Sequence, residues 1–424
     1  MPGGEHFNKE TPLLHRIVRV YRDAFTGLPR DVWLLAFVAM VNRTGTMVLP
    51  FITLYLTLER GFSVKEAGQI VGLYGIGSVG GSYVGGWLSD RIGPVRTQQA
   101  SLVLGGVGLL VLGSARGRIT IAATVLVVSL LVEAFRPAVM ASFAERSPYH
   151  IQAKSFALLR LAANLGISIG PALGGVLALY SYWWLFVADA VTCWLAAALL
   201  MKLPKTTEAE ASTDTAIRAP KRSPWRDGPF LALLVLVVAL ASVFFQFFST
   251  LPLYFHEVVG LEENAIGLLL FLNGFLIVVF EMVLIHTVQR FNRIRLAAAG
   301  ALAMCLGFAL IPYGKTPWYM AFTIAVWTFG EMLALPIINA IVGQRASKGY
   351  RGQYMGLYTM AYSFAFIIAP VAGTFVYERF GPATLWHSSG VLGILLWLAF
   401  MALRKPLEGD DTREQPVLNS RSPT

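Results

Sequence analysis

Residues 86–96 read Gly86-Trp87-Leu88-Ser89-Asp90-Arg91-Ile92-Gly93-Pro94-Val95-Arg96, and 199 positions on from Asp90 the chain reads Gln289-Arg290-Phe291-Asn292-Arg293. Each stretch closes a long apolar run with a short basic loop. The same offset pairs Gly61 with Gly260, Gly68 with Gly267, Arg91 with Arg290, Pro137 with Pro336, Arg146 with Arg345, Pro171 with Pro370 and Gly174 with Gly373. The chain is therefore a duplication. Its matched residues either shape the backbone (Gly, Pro) or mark the ends of apolar runs (Arg), so the repeat reports shared helix geometry and orientation rather than shared chemistry. Two similar membrane halves predict a transporter with its site between them.

Composition sets the class. Of 424 residues, 56% are hydrophobic and only 14% charged, which no water-soluble domain can accommodate by burial alone. A hydrocarbon core of about 30 Å takes roughly 20 helical residues to cross. Runs of that length fall at 31–58, 65–90, 97–115, 119–146, 151–178 and 181–202, and again at 229–256, 264–289, 294–313, 317–345, 351–377 and 382–403. The expected fold is all-α, with twelve transmembrane helices in two six-helix pseudo-symmetric bundles.

Basic loops resist translocation, so the distribution of Lys and Arg gives the orientation. Placing both termini on the inner side puts 25 of 34 basic residues there, against Arg60, Lys65, Arg116, Arg118, Lys315 and Arg379 outside. The net charge of +10 then follows from topology and calls for no nucleic acid partner. The expected organisation is a cytoplasmic N-terminal segment (1–30), a first bundle (31–203), a cytoplasmic linker (204–228), a second bundle (229–404) and a cytoplasmic tail (405–424), in a multi-pass protein of the cell (inner) membrane working as a monomer. Residues 13–22 alternate apolar and basic side chains, which suits a helix on the inner leaflet or a solvated lead-in to the first span. Cys193 and Cys305 both lie in apolar runs and read as neither a disulfide nor a metal site. No metal-ligand cluster, phosphate-binding glycine loop or nucleophile arrangement is visible, so the sequence predicts no enzyme and no cofactor.

The 86–96 stretch closely resembles the signature loop between helices 2 and 3 of the major facilitator superfamily, and with twelve spans, two halves and a long linker the resemblance covers roughly residues 30 to 404. It implies a conformational latch of Gly86, Asp90, Arg91, Gly93 and Arg96. Gly86 would let helix 2 approach a neighbour closely, and Asp90 would accept hydrogen bonds and pair with Arg when the inner side is closed. Gln289 stands at the equivalent of Asp90, so the second copy lacks the charge. In the fifth span, Gly166-Ile167-Ser168-Ile169-Gly170-Pro171-Ala172-Leu173-Gly174-Gly175 resembles the motif of drug:proton antiporters within that superfamily, with small residues for close packing and a proline for a kink. The arginine that those exporters carry early in the fourth span has no match in 119–132.

A rival resemblance is to proton-coupled oligopeptide importers. Gly330-Glu331-Met332-Leu333-Ala334-Leu335-Pro336 resembles their acidic Gly-Glu segment, and Asn164, Gly166 and Gly170-Pro171 fit as well. Their paired glutamates in the first span are replaced by Asn42-Arg43-Thr44-Gly45-Thr46, which counts against peptide import.

Charges within spans are the chemically informative residues, because each costs about 2.5–3.5 kcal/mol at the bilayer centre. Glu331, Glu133 and Glu281 are the candidates for proton coupling, and Arg43 and Arg136 are candidate charge partners in the cavity. A carboxyl group in a poorly hydrated cavity takes up a proton more readily than one in water, and a nearby Arg opposes that. Glu133 and Arg136, three apart on a helix, share a face and admit a second reading as a static buried pair. Asn42, Gln246, Phe245 and Asn339 are candidates for contact with the substrate. The expectation is a secondary transporter with a small-molecule substrate, protons and the lipid bilayer as partners: a proton-coupled exporter of lipophilic or cationic compounds, with import of peptides or another metabolite as the alternative.

Overall fold

A computed structural model describes residues 25–148, 151–204, 223–288, 291–345 and 351–408. The amphipathic segment 13–22, most of the linker, Gln289, Arg290 and residues 409–424 of the tail lie outside the described residues. Among the described residues the bundle consists of twelve helical spans. The first half comprises α1 (Arg30–Glu59), α2 (Val64–Ile92), α3 (Pro94–Ser114), α4 (Arg118–Arg146), α5 (Gln152–Ala178) and α6 (Trp183–Leu200). The second comprises α7 (Gly228–Phe248, continued as Thr250–Glu257), α8 (Glu263–Val288), α9 (Arg293–Ala309), α10 (Pro317–Arg345), α11 (Arg351–Phe380) and α12 (Pro382–Glu408). Eleven are long and apolar enough to cross a membrane. The remaining one, α2, is 29 residues long, about 43 Å at 1.5 Å per residue, but its many glycines dilute its hydropathy.

Those glycines explain the packing. Within the first half α1 packs on α5 and α6, α2 on α4, and α3 on α4 and α6; the second half repeats the scheme, α7 on α11 and α12, α8 on α10, and α9 on α10 and α12. The halves meet along two seams, α2 against α11 and α5 against α8. On one face of α2, a Cβ at Gly85 would sit 2.6 Å from the Ala134 Cα, and one at Gly81 3.0 Å from the Leu130 Cα. On the other face, a Cβ at Gly68 would sit 2.7 Å from the Pro370 carbonyl oxygen of α11. At the second seam a Cβ on Gly267 would strike the Pro171 carbonyl oxygen of α5. Gly68 with Pro370 and Gly267 with Pro171 are thus one contact made twice, and the two matched pairs of the repeat are partners across the seams.

The antiporter-like motif of α5 also serves packing. A Cβ at Gly166 would lie 2.7 Å from the Arg43 Cβ, one at Gly170 2.8 Å from the Thr44 carbonyl oxygen, and one at Gly174 3.0 Å from the Met47 Cβ, so α5 and α1 run in close contact through the membrane. Gly175 abuts the backbone at Glu263 and Asn264, where α8 begins. The close approach expected at Gly86 is not seen: a Cβ there would meet open space, and Gly81 and Gly85, on the face turned to α4, do that work instead.

At the face that carries the linker, each half is tied by one arginine. Arg146 reaches Asp31 at 2.5 Å and the Pro204 carbonyl at 2.7 Å, joining α4 to the start of α1 and the chain after α6. Its repeat partner Arg345 holds Asp227 at 2.7 Å and the Pro406 carbonyl at 3.3 Å, joining α10 to the start of α7 and to α12. At the opposite face the halves touch. Val48–Leu54 of α1 packs on Thr250–Glu257 of α7, the Lys65 backbone N–H donates to Glu378 (2.7 Å), and the Tyr182 hydroxyl donates to Glu263 (2.8 Å). Asp90 at the linker face is exposed and makes no hydrogen bond or ion pair among the described residues. Gly93 takes φ +88° to turn the chain between α2 and α3, and the Arg91 guanidinium stacks 4.2 Å above the Trp87 ring. Arg96 is exposed beside them.

Candidate functional site

Both leading helices break near mid-membrane, at equivalent points of the repeat, and the breaks show which polar residues serve the fold. In α1 the helix stops at Thr44 and resumes at Val48. The freed backbone N–H groups of Met47 and Val48 donate to the buried Asp189 carboxylate of α6 at 3.0 Å each, as unpaired donors at a helix start require. In α7 the break passes through a 3-10 turn, Phe245–Phe248. Gln246 secures it: its amide nitrogen donates to Ala369 (2.8 Å) and Ser242 (3.1 Å), and its oxygen accepts from Thr250 (2.7 Å).

Two of the expected substrate contacts, Gln246 and Asn42, are engaged within the bundle in this structure. Gln246 is buried with its amide fully engaged, and its bulk fills the space left by Gly373 of α11. Asn42 is buried against α6, its amide 3.8 Å from Cys193 Sγ, because the face of α1 that carries it turns into the first bundle. Asn339 is exposed on α10 and makes no hydrogen bond among the described residues. Phe245 is half-buried and does belong to an aromatic wall. Its ring lies 4.8 Å from Phe366 and 6.3 Å from Tyr362 and Phe248, and Phe366 lies 5.7 Å from Tyr74 of the first half. The wall therefore spans the two halves from α7 through α11 to α2.

The three carboxylates occupy different surroundings. Glu331 on α10 is 8% exposed; the Asn273 amide of α8 donates to it at 2.9 Å and also reaches Thr328 at 3.0 Å. No basic group lies within ion-pair distance among the described residues. Glu133 closes the first segment of α4, where Pro137 deprives its carbonyl of the usual helical donor and the helix is interrupted at Ala134. Its side chain accepts from the Tyr74 hydroxyl at 3.2 Å. No ion pair joins Glu133 to Arg136, so the static buried pair is not what forms here. Glu281 is bound in an ion pair by Arg160 of α5, bridging the α5–α8 seam. The Arg160 pair makes Glu281 a tie between the halves.

Arg43 on α1 is half-buried and Arg136 on α4 is accessible. Neither makes a hydrogen bond or ion pair among the described residues. Arg136 is within electrostatic range of Arg43, of Glu133 and of Tyr362 from the opposite half. Sequence reasoning missed Asn273, Thr328, Tyr74 and Phe366. Asn273, a lone amide inside the apolar run of α8, was the one legible signal among them; the others are ordinary residues until α10, α2 and α11 are placed. No His, Cys, Asp and Glu group among the described residues is arranged to hold a metal ion.

The chain is similar to known transporters over nearly its full length. It is 23% identical to a Na(+), Li(+), K(+)/H(+) antiporter of Planococcus maritimus, covering 84% of this chain and 89% of that protein. It is 22% identical to the multidrug resistance protein MdtH of Aeromonas salmonicida, covering 88% and 96%. Among solved structures, the peptide transporter POT in complex with sulfate matches with a TM-score of 0.76 at 16% identity over 90% of this chain and 96% of that one, which is a likeness of fold. The sequence profile of the Major Facilitator Superfamily matches residues 32–370 and 262–423. With its twelve-span duplicated bundle, its two glycine-lined seams and that match over most of its length, the chain belongs to the major facilitator superfamily, a family of membrane transporters and not of enzymes.

Proposed function

We propose that the protein is a proton-coupled exporter that moves small organic compounds with a lipophilic body by alternating access, and that Glu331 carries the proton. The observation behind this is the setting of Glu331: a buried carboxyl group between α8 and α10 whose hydrogen-bond partner is the Asn273 amide, itself bonded to the Thr328 hydroxyl, with no cation in ion-pair contact among the described residues. Such a group can exchange a proton as water access alternates between the two faces. Asn273 can serve both states, donating to the carboxylate or accepting from the acid through its oxygen. The antiporter and multidrug relatives support export coupled to protons. The aromatic wall of Phe245, Phe248, Tyr362 and Phe366 suits a lipophilic body. A cationic cargo finds no such support, since Arg43 and Arg136, which make no ion pair among the described residues, are themselves cations.

In this reading the linker face is cytoplasmic, the protein sits in the cell membrane and works as a monomer, and the structure is the inward-open state. The contacts between α1 and α7 and the pairs Lys65–Glu378 and Tyr182–Glu263 close the outer face. Asp90 then engages when the inner side closes. Reconstituted vesicles under an imposed pH gradient, challenged with a diverse compound library, test the proposal. Transport of at least one compound must follow the gradient in the wild type and fail in Glu331→Gln, while counterflow at equal pH persists in the variant. Gradient-driven transport by Glu331→Gln would overturn the assignment.

A further inference from the structure

Arg43 and Arg136 stand outside the proton argument, and their surroundings lack something. Buried or membrane-depth guanidinium groups are normally paired, since an unmatched charge there is costly. Three other arginines within spans follow that rule: Arg160 holds Glu281, Arg146 holds Asp31 and Arg345 holds Asp227. Arg43 and Arg136 break it. They come from different helices, α1 and α4, and lie within electrostatic range of one another, so each raises the cost of the other. The one carboxylate in range of Arg136, Glu133, is hydrogen-bonded by Tyr74 and forms no ion pair with it.

Their placement is also built. The Arg43 Cβ occupies the room left by Gly166 on α5, which fixes α1 at the level of its break, and Arg136 follows the interruption of α4 at Ala134, one turn beyond Glu133, which Tyr74 of α2 bonds. Tyr362, in range of Arg136, is also a ring of the aromatic wall, which puts charge and apolar surface at one site.

We infer that Arg43 and Arg136 form the anion-binding end of the substrate site and that the cargo is an amphipathic organic anion, a carboxylate with an aromatic or aliphatic body. The carboxylate supplies the missing counter-charge to both guanidinium groups through charge-assisted hydrogen bonds. Its body lies along Phe245, Phe248 and Phe366. Two arginines and one carboxylate leave an unmatched positive charge, which attracts an anion and repels a cation of the same size. The inference rests on reading the chain as a transporter of small molecules, but not on the direction of transport or on which residue carries the proton.

Binding to the purified protein in detergent separates the two. The probes share one body and differ in charge: 4-phenylbutyrate, 4-phenylbutanamide and 4-phenylbutylammonium, measured by equilibrium dialysis and by thermal stabilisation. The anion is expected to bind at least about tenfold more tightly than either of the others. Arg43→Gln and Arg136→Gln should each remove that preference, and Arg136→Lys should recover part of it, because charge returns without the planar fork. Equal binding of the three probes, preference for the ammonium, no binding of the carboxylate, or an unchanged preference in both Gln variants would overturn the inference. The wild-type comparison needs no variant to fold. Loss of proton-driven transport in vesicles with the anion preference intact would sink the proposed coupling while leaving this site standing.

Discussion

The two halves of the molecule repeat one skeleton and diverge in charge. Arg146 and Arg345 make the same clasp, Gly68 and Gly267 the same seam, and α1 and α7 break at the same level. At the centre the likeness ends. The first half presents Arg43, Arg136 and a Glu133 bound by a tyrosine; the second presents Glu331 bound by an amide, one register step away from the equivalent of Glu133, with no cation beside it. Helix geometry is kept in both halves, while the charges near the breaks are divided between them. A symmetric pair of sites would bind cargo and proton alike in both halves; under the proposed function and anion site, the asymmetry gives one half an anion to hold and the other a proton to exchange.

The largest expected effect comes from breaking this division. Glu331→Gln should reduce pH-driven transport to the level of protein-free vesicles, whereas Glu133→Gln should lower it by less than about tenfold, or about 1.4 kcal/mol. Initial rates under one imposed gradient decide it, and the reverse order of effects would place the proton in the first half. Next are the seams. Gly68→Val and Gly267→Val each drive a branched side chain into the carbonyl of the partner proline, at a cost of about 1–3 kcal/mol. Both variants should melt at lower temperature, by similar amounts if the seams are equivalent, and Gly86→Val, at a site facing open space, should melt like the wild type.

A smaller effect is expected at the linker face. Asp90→Asn should slow transport with little change in folded yield, because the proposed latch engages only when the inner side closes and Asp90 makes no hydrogen bond or ion pair among the described residues. Unchanged kinetics would remove the latch role. The smallest effect concerns the clasps. Burial raises the Asp227 carboxyl, but hydrogen bonds from Arg345 and Tyr354 outweigh it and hold the group below the ordinary carboxylate value. A carboxyl lowered in the folded state contributes stability that is present above its unfolded value, near pH 4, and is lost as pH falls through the folded one. Melting temperature should therefore drop as acid protonates Asp227, and Asp227→Asn should be less stable at neutral pH and lose less on acidification.

Residue patterns carried the large-scale features because the physics behind them is local. Length and hydropathy delimit spans, Lys and Arg bias loops, and Gly and Pro recur where backbones must approach or break. Twelve spans, the duplication and Glu331 as an isolated buried carboxyl were all legible in that way. Which face of a helix meets which neighbour was not. Gly86 and Gly85 are adjacent and chemically identical, yet only Gly85 faces α4. Asn42 and Arg43 are adjacent polar residues in one apolar run, yet Asn42 turns into α6 while Arg43 stays unpaired.

What the sequence determined by itself was therefore the class of molecule, its pseudo-symmetry and the short list of charges that need a reason to be in a membrane, since each follows from composition and spacing along one chain. Only the tertiary structure decided how those charges are spent. It assigned Asp189 to the break in α1, Gln246 to the break in α7 and Glu281 to Arg160, and among the described residues it left Glu331 without a cation and Arg43 and Arg136 without an anion. A hydrogen bond or ion pair between helices depends on the rotation of each about its own axis, and that angle is fixed by packing against every neighbour at once, which no single stretch of sequence encodes.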